Sequence, residues 1–313
     1  MLSSLLVALR VVLPMAMTMG IGSLTRVTGL VKREDMDSID KLIFKVLMPC
    51  LLFKNIYFTE FSSDSYQKEI IYTVISIGLV FVLAVFLPPR LVKDRPKAAS
   101  IGQAIFRCNY VLFGVAVTES IYGKGNAGLT ALLGAIVVPV TNALSIVLLE
   151  IARNQQASPK KVLRAVLTNS MVIAAILALS LKILNLQLPE LLLTVVEDFA
   201  GMTTTISFIS LGISLNIGQL RQNRKPLTIG ILLRMIVIPL IFLPITVALG
   251  FRGKALCAFI ILFASPTAIS TYPMAVAMDA DGPIAGQMVC ITTLMSVVTM
   301  FILVFFFQLL GML

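Results

Sequence analysis

The stretch A-S-P-T-A-I-S-T-Y-P, Ala264 to Pro273, decides how the rest of this chain is read. It lies inside an apolar segment running from about Lys254 to Met278, long enough to cross a bilayer. A spanning helix has no water to satisfy a broken backbone hydrogen bond. The prolines Pro266 and Pro273 and the hydroxyls of Ser265, Thr267, Ser270 and Thr271 at mid-depth therefore mark an interruption. Ser265 followed by Pro266 reads as the N-cap and first residue of a new helix. A helix that starts at the midplane presents free N–H groups and a positive dipole end to whatever occupies that depth.

The surrounding composition sets the class. Of 313 residues 58% are apolar and 13% charged, and the mean hydropathy is +0.99. The apolar residues fall in blocks of about twenty, as in a polytopic membrane protein, and not in the mixed pattern of a soluble domain. The net charge of +10 is spread over short loops, which fits membrane topology and not phosphate binding, so no nucleic-acid partner is expected. There is no histidine, and Cys50, Cys108, Cys257 and Cys290 sit in apolar blocks without ligand spacing. No metal, cofactor, Ser-His-Asp set or phosphate loop is expected, and the chain does not read as an enzyme. The opening M-L-S-S-L-L-V-A-L-R reads as the first span and not as a removable signal.

About ten spans can be drawn, near Ser4–Leu24, Ile39–Tyr57, Glu69–Leu87, Ala98–Tyr122, Ala127–Leu149, Val166–Leu184, Leu191–Leu215, Leu227–Leu249, Lys254–Met278 and Ile284–Leu309. One set of loops carries Arg26, Lys32, Arg33, Lys41, Arg90, Lys93, Arg95, Lys97, Arg153, Lys160, Lys161, Arg164, Arg221, Arg224 and Lys225. The other carries only Lys54, Lys68, Lys124, Lys182, Arg252 and Lys254. Basic loops stay in the cytoplasm, so both termini are expected outside an inner (cell) membrane. A polar linker, 151–164, divides the chain into residues 1–150 and 165–313, five spans each. Because five is odd, the second half enters with opposite orientation, and an inverted repeat follows by parity. The run from Ala116-Val117 through Gly123 to Ala127-Gly128 matches Ala275-Val276 through Gly282 to Ala285-Gly286 at an offset of about 158 residues. That match pairs Arg107–Asn109 with Pro266–Ala268. Asn109, within A-I-F-R-C-N-Y, then caps a half-helix in the fourth span as Ser265 does in the ninth.

Buried polar groups narrow the chemistry. Arg107 and Arg234 fall inside spans, where a charge costs roughly 2.5–3.5 kcal/mol on insertion scales; Arg10 and Lys45 lie close enough to span ends to snorkel. Arg234 reads as structural or gating. Asn142, a turn after Pro139, needs a polar partner. The hydroxyl cluster Thr203–Thr205, Ser207 and Ser210 reads as bonding to helix backbone. Deep carboxylates are scarce: Glu119 falls near a span end, and Glu197-Asp198 reads as the one buried acidic pair. Glu119 and Asp198 are the possible coupling groups. A surplus of cations and helix N-termini over carboxylates favours an anion.

With these residues assembled, the chain resembles the auxin efflux carrier family of membrane transporters, which includes plant PIN-type carriers and bacterial malonate- and malate-permease-like members. The resemblance spans nearly the whole length. It rests on L-I-F-K-V-L-M-P-C-L-L-F, F-R-C-N-Y-V-L-F-G, P-V-T-N-A-L-S-I-V-L-L-E, S-L-G-I-S-L and A-S-P-T-A-I-S-T-Y-P-M-A in that order. It implies an all-α integral membrane fold of ten transmembrane helices in two inverted five-helix repeats, with broken, crossing helices 4 and 9. It also implies a scaffold of helices 1, 2, 6 and 7, a transport part of helices 3–5 and 8–10, and a homodimer through the scaffold. Carboxylate substrates of relatives bind at the crossing, where Asn109 and Pro266 match. Thr205 and Ala116 stand where relatives favour proline.

The expected function is alternating-access transport of a small organic anion across the lipid bilayer, by a secondary carrier or potential-driven facilitator, with efflux the expected direction. Asn109 and the N–H groups after Pro266 hold the carboxylate in this expectation. Ser265, Thr267 and Thr271 shape the pocket with Asn142, and Arg107 supplies positive potential. The alternatives are a sodium- or proton-coupled symporter of bile-acid-symporter-like architecture and a non-transporting membrane sensor.

Overall fold

The computed structural model describes residues 2–31, 36–58, 66–153, 159–215 and 217–313. In order these form α1 (Leu2–Val27), then α2 (Met36–Leu42), which runs through a π-helical turn (Ile43–Leu47) into α3 (Met48–Tyr57). Next come α4 (Gln67–Phe86), α5 (Pro88–Leu91), α6 (Arg95–Phe106), α7 (Tyr110–Tyr122) and α8 (Gly128–Arg153). After them come α9 (Pro159–Leu167), α10 (Ser170–Ile183), α11 (Glu190–Ser214), α12 (Ile217–Gln222) and α13 (Arg224–Leu232). A second π-helical turn (Leu233–Val237) leads into α14 (Ile238–Ala248), followed by α15 (Gly253–Ala264), α16 (Thr271–Ala277) and α17 (Gly282–Leu309). Among the described residues five stretches are long and apolar enough to cross a membrane: Gln67–Leu91, Gly128–Arg153, Glu190–Ser214, Arg224–Ala248 and Gly282–Leu309. The apolar helices Tyr110–Tyr122, Ser170–Ile183 and Gly253–Ala264 are shorter, and two of them are halves of interrupted segments.

Local chemistry explains these boundaries. Asp94 caps α6 by accepting from the Lys97 N–H (3.3 Å), with Pro96 in the first turn, where no N–H is needed. Asp281 does the same for α17, accepting from the Ile284 N–H at 2.8 Å ahead of Pro283. Pro49 and Pro239 each follow a π-helical turn. A proline offers no N–H and crowds the carbonyl a turn before it. The wider turn accommodates that mismatch without ending the helix. Lys45, in the first of these turns, is exposed, whereas the side chain of Arg10 lies outside the described residues.

Helices α1 and α11 touch backbone to backbone. A Cβ on Gly22 would lie 2.2 Å from the Ile209 carbonyl oxygen, and one on Gly212 would lie 2.1 Å from that of Met19. Small residues permit this approach, since two apolar helices in lipid gain mostly from close packing. The Ser23 hydroxyl donates to Gly212 O (3.0 Å), and Arg26 Nη1 donates to Leu215 O (2.8 Å) at the C-terminal end of α11. Replacing Gly212 with Val is expected to part the two helices and cost about 2 kcal/mol or more. Gly201→Val, with nothing near its would-be Cβ, serves as the control. Thermal unfolding in detergent checks it: a lowered midpoint for Gly212→Val and an unlowered one for Gly201→Val.

Candidate functional site at the helix crossing

Helix α6 stops at Phe106 and α7 starts at Tyr110, while α15 stops at Ala264 and α16 starts at Thr271. The two interruptions lie side by side as one antiparallel bridge, with Cys108 opposite Thr267. The Asn109 N–H donates to Pro266 O (2.8 Å), and the Ala268 N–H donates to Arg107 O (3.2 Å). Ser265 is extended, as a residue ahead of proline prefers (φ −66°, ψ 156°).

Helix ends inside a bilayer leave carbonyls without partners, and side chains take up those that the bridge does not. The Thr267 hydroxyl donates to Ala104 O (3.0 Å), and its N–H donates to the Thr292 hydroxyl (3.1 Å). Arg234, in the second π-helical turn, is 1% exposed and spends its guanidinium on backbone. Nη1 donates to Ile105 O (3.0 Å), Nη2 to Leu262 O (3.3 Å) and Ser265 O (2.6 Å), and Nε to Ser265 O (3.1 Å). It therefore closes the negative C-terminal ends of α6 and α15 together.

Arg107 is the second buried cation, 2% exposed, and its partners are of another kind. Nη2 donates to Asn142 Oδ1 and to the Ser270 hydroxyl, and Nη1 to Gln103 Oε1 (3.3 Å) and Met274 Sδ (2.9 Å). Its Nε has no partner. Among the described residues no carboxylate comes within ion-pair distance. Beside it lies a cavity of about 780 Å³, mouth included, whose polar lining includes Asn55, Arg107, Asn109, Asn142, Thr203 and Ser270. Asn109 is the N-cap residue of α7, yet its side chain makes no capping bond, and its buried Nδ2 has no acceptor. Tyr110, Val111 and Leu112, the first turn of α7, complete that wall.

The structure thus gathers Arg107, Asn109 and Asn142 at one cavity and separates the other expected residues from it. Ser265 ends α15 and does not begin a helix. The new helix waits until Thr271, because Pro266–Ser270 is occupied by the bridge and a turn. Ser265, Thr267 and Thr271 are fully buried but do not line the cavity. Pro266 contributes its carbonyl to the bridge, and Pro273 sits in the first turn of α16. The N–H groups of Thr267 and Ala268 are already bonded, while Ile269 and Ser270 line the cavity together with the first turn of α7.

Asp198 is exposed, and Glu197, its side chain 46% exposed, pairs with Lys54 at 3.8 Å; the expected buried acidic pair lies on an outer helix face. Glu119 is half-buried and accepts from the Gly125 N–H (3.0 Å). Among the described residues the fully buried carboxylate is Asp40, which accepts from the Ser210 hydroxyl. Sequence reading passed over it because it sits beside Lys41 near a span end. Ser270 and Asn55 were also missed. Ser270 stood among the hydroxyls of the interrupted segment, which was its only signal. The cluster on α11 serves twice: Thr203 donates to Leu47 O (2.9 Å) and Ser207 to Thr203 O (2.7 Å), and both also line the cavity.

Helices long enough to cross a membrane, with shorter ones meeting at a break beside a cavity, are an arrangement that membrane transporters use. The chain belongs to the auxin efflux carrier family, whose model, described as a membrane transport protein, matches residues 7–304. It is also 23% identical over 281 residues to an uncharacterized transporter of Methanothermobacter thermautotrophicus, across 90% of this chain and 92% of that one.

The two arginines differ in what their loss leaves behind. Arg234→Met strips the donors from Ile105, Leu262 and Ser265 O in a water-free layer and is expected to cost more than about 3 kcal/mol. Little monodisperse protein should survive detergent extraction, as size-exclusion chromatography would show; a wild-type profile would contradict the stapling role.

Proposed function

We propose that the chain carries a small organic anion with a carboxylate group across the cell membrane by alternating access. One observation carries the reading: Arg107 is a buried cation held only by neutral groups, at a cavity whose lining residues also carry the unpartnered Asn109 Nδ2 and Tyr110 hydroxyl, both able to donate. Donors without acceptors are completed by an anion. A carboxylate accepts the guanidinium fork and an amide N–H together. The dipole of α7 adds positive potential at its N-terminus.

The frame of this reading is ten spans in two inverted five-helix repeats. The bridge supports it. Cys108 and Thr267 stand 159 residues apart, the offset that relates Ala116-Val117 and Gly123 to Ala275-Val276 and Gly282. Asn109 N–H to Pro266 O and Ala268 N–H to Arg107 O exchange under the same offset, as a two-fold axis at the crossing requires.

The cavity also lies where alternation would act. One wall is α3, α10 and α11, and the other is α7, α8 and the segment after Pro266. Toward the other end of the same elements the two bodies are tied shut. The Tyr272 hydroxyl bonds Ser214 Oγ, joining α16 to α11, and α16 also packs against α2. Closure on one side with a cavity on the other is the arrangement that alternating access needs.

Transport assays in vesicles test the proposal after a thermal-shift screen of organic acids against their neutral amides has picked a substrate. Carboxylates are expected to raise the midpoint, and amides to leave it in place. Asn109→Ala should lower the transport rate about tenfold, the loss of one charge-assisted hydrogen bond. Arg107→Met should abolish transport while leaving the unfolding midpoint near that of the parent, since it removes a buried charge together with its desolvation cost. Stabilisation by cations, or undiminished transport in Arg107→Met, would sink the anion reading.

A further inference from the structure

Where α4 ends, α6 begins and α8 ends, the bundle leaves an open recess of about 1250 Å³, mouth included. Its floor is apolar and made largely of small residues: Ala84, Ala98, Ala99 and Leu148 are buried there. Its rim carries Lys93 and Arg95, both exposed. This is one of the ends at which the basic loops collect.

Other cations at this end are already engaged. Arg90 Nη1 donates to Phe86 O (2.7 Å), with the guanidinium 5.7 Å above the Phe86 ring centre. Lys97 Nζ donates to Asn223 Oδ1 (3.0 Å) and sits 3.8 Å from Asp94. Arg153 pairs with Asp279 at 2.8 Å. Lys93 and Arg95 have no hydrogen bond or ion pair among the described residues. Asp94, between them in sequence, turns its carboxylate toward the Lys97 N–H.

We infer that this recess binds one anionic phospholipid, its phosphate between Lys93 and Arg95 and an acyl chain along the alanine floor between α4 and α8. Both parts of the site are needed for that choice. A soluble anion would satisfy the rim and leave the apolar floor bare. A zwitterionic lipid would cover the floor but bring its own ammonium to two unneutralised cations. Basic grooves between helices at the membrane surface select anionic headgroups on these grounds. The site has a route to function, because α6 begins at the recess and the chain reaches Arg107 directly at its other end.

Native mass spectrometry of the full chain in detergent, titrated with phosphatidylglycerol and, separately, phosphatidylcholine of the same chains, tests the site. Retention of the first is expected to exceed that of the second by about fivefold, as one surface cation's attraction implies. The double variant Lys93→Gln/Arg95→Gln, at exposed positions, should erase the difference. Arg221→Gln/Arg224→Gln, which removes the same charge elsewhere, should keep it. Equal retention of both lipids, or a preference that survives in the Lys93/Arg95 variant, overturns the inference. So does displacement of the lipid by inorganic phosphate alone, which would mark a soluble-anion site, or adducts confined to a dimer, which would mark an interface between copies.

Discussion

The structure depends on keeping the backbone paired where two helices stop inside the bilayer. Each stop exposes carbonyls that water cannot reach, and each unpaired group in hydrocarbon costs several kcal/mol. The chain answers with one antiparallel bridge, the hydroxyls of Thr267 and Thr292, and the guanidinium of Arg234. Neither interrupted helix is viable alone. Pro266 supplies the acceptor for Asn109, Arg107 supplies the acceptor for Ala268, and Arg234 holds carbonyls from both α6 and α15. The crossing is thus a single unit in which each break satisfies the other.

Two arginines of equal burial are told apart by their acceptors. Backbone carbonyls at helix ends carry partial negative charge that the fold itself created, so Arg234 is neutralised by what it supports. Arg107 meets an amide oxygen from Asn142, another from Gln103, a hydroxyl and a thioether, none of them charged. That set positions a guanidinium without neutralising it. Placed next to a cavity, the imbalance is a binding potential; inside a solid core it would be only a liability.

Much of this was legible in the chain, for reasons that also mark where legibility ended. Pro266 in an apolar segment has no harmless place in a spanning helix, so the later break was plain. The earlier one had no proline and rested on Arg107 and Asn109 and on their match to Pro266–Ala268 in the internal repeat. Which residue would end a helix and which would start one was not legible. Ser265-Pro266 satisfies the local rules for a helix start, and only the partner strand from the other half turns it into an end. Thr267 reads as a pocket hydroxyl by type and depth, yet the nearest carbonyl in need of a donor, that of Ala104, comes from a helix more than half the chain away in sequence. Asp198 and Asp40 show the same limit. Depth along a span can be counted from sequence, but which face of the helix meets the core cannot when hydrophobic residues cover every side.

Because the bridge ties the breaks together, α6, α7, α15 and α16 cannot shift independently without losing hydrogen bonds that have no substitute in lipid. Any rearrangement that leaves those bonds intact moves the four helices as one body. The surface on which that body would move in the proposed alternation is its contact with α1, which packs on α7, and with α2 and α11, which meet α16. The cavity lies beside that surface at one end, and at the other the surface is fastened by the side-chain hydroxyls of Tyr272 and Ser214. Side-chain bonds of this kind exchange for water at little net cost when an end opens. The bonds at the crossing have no water to turn to. Under the proposed alternating access, rigidity at the centre with replaceable fastenings at the periphery would keep Arg107 and Asn109 in one geometry. The polar groups that a ligand would meet therefore sit on the part of the molecule least able to deform.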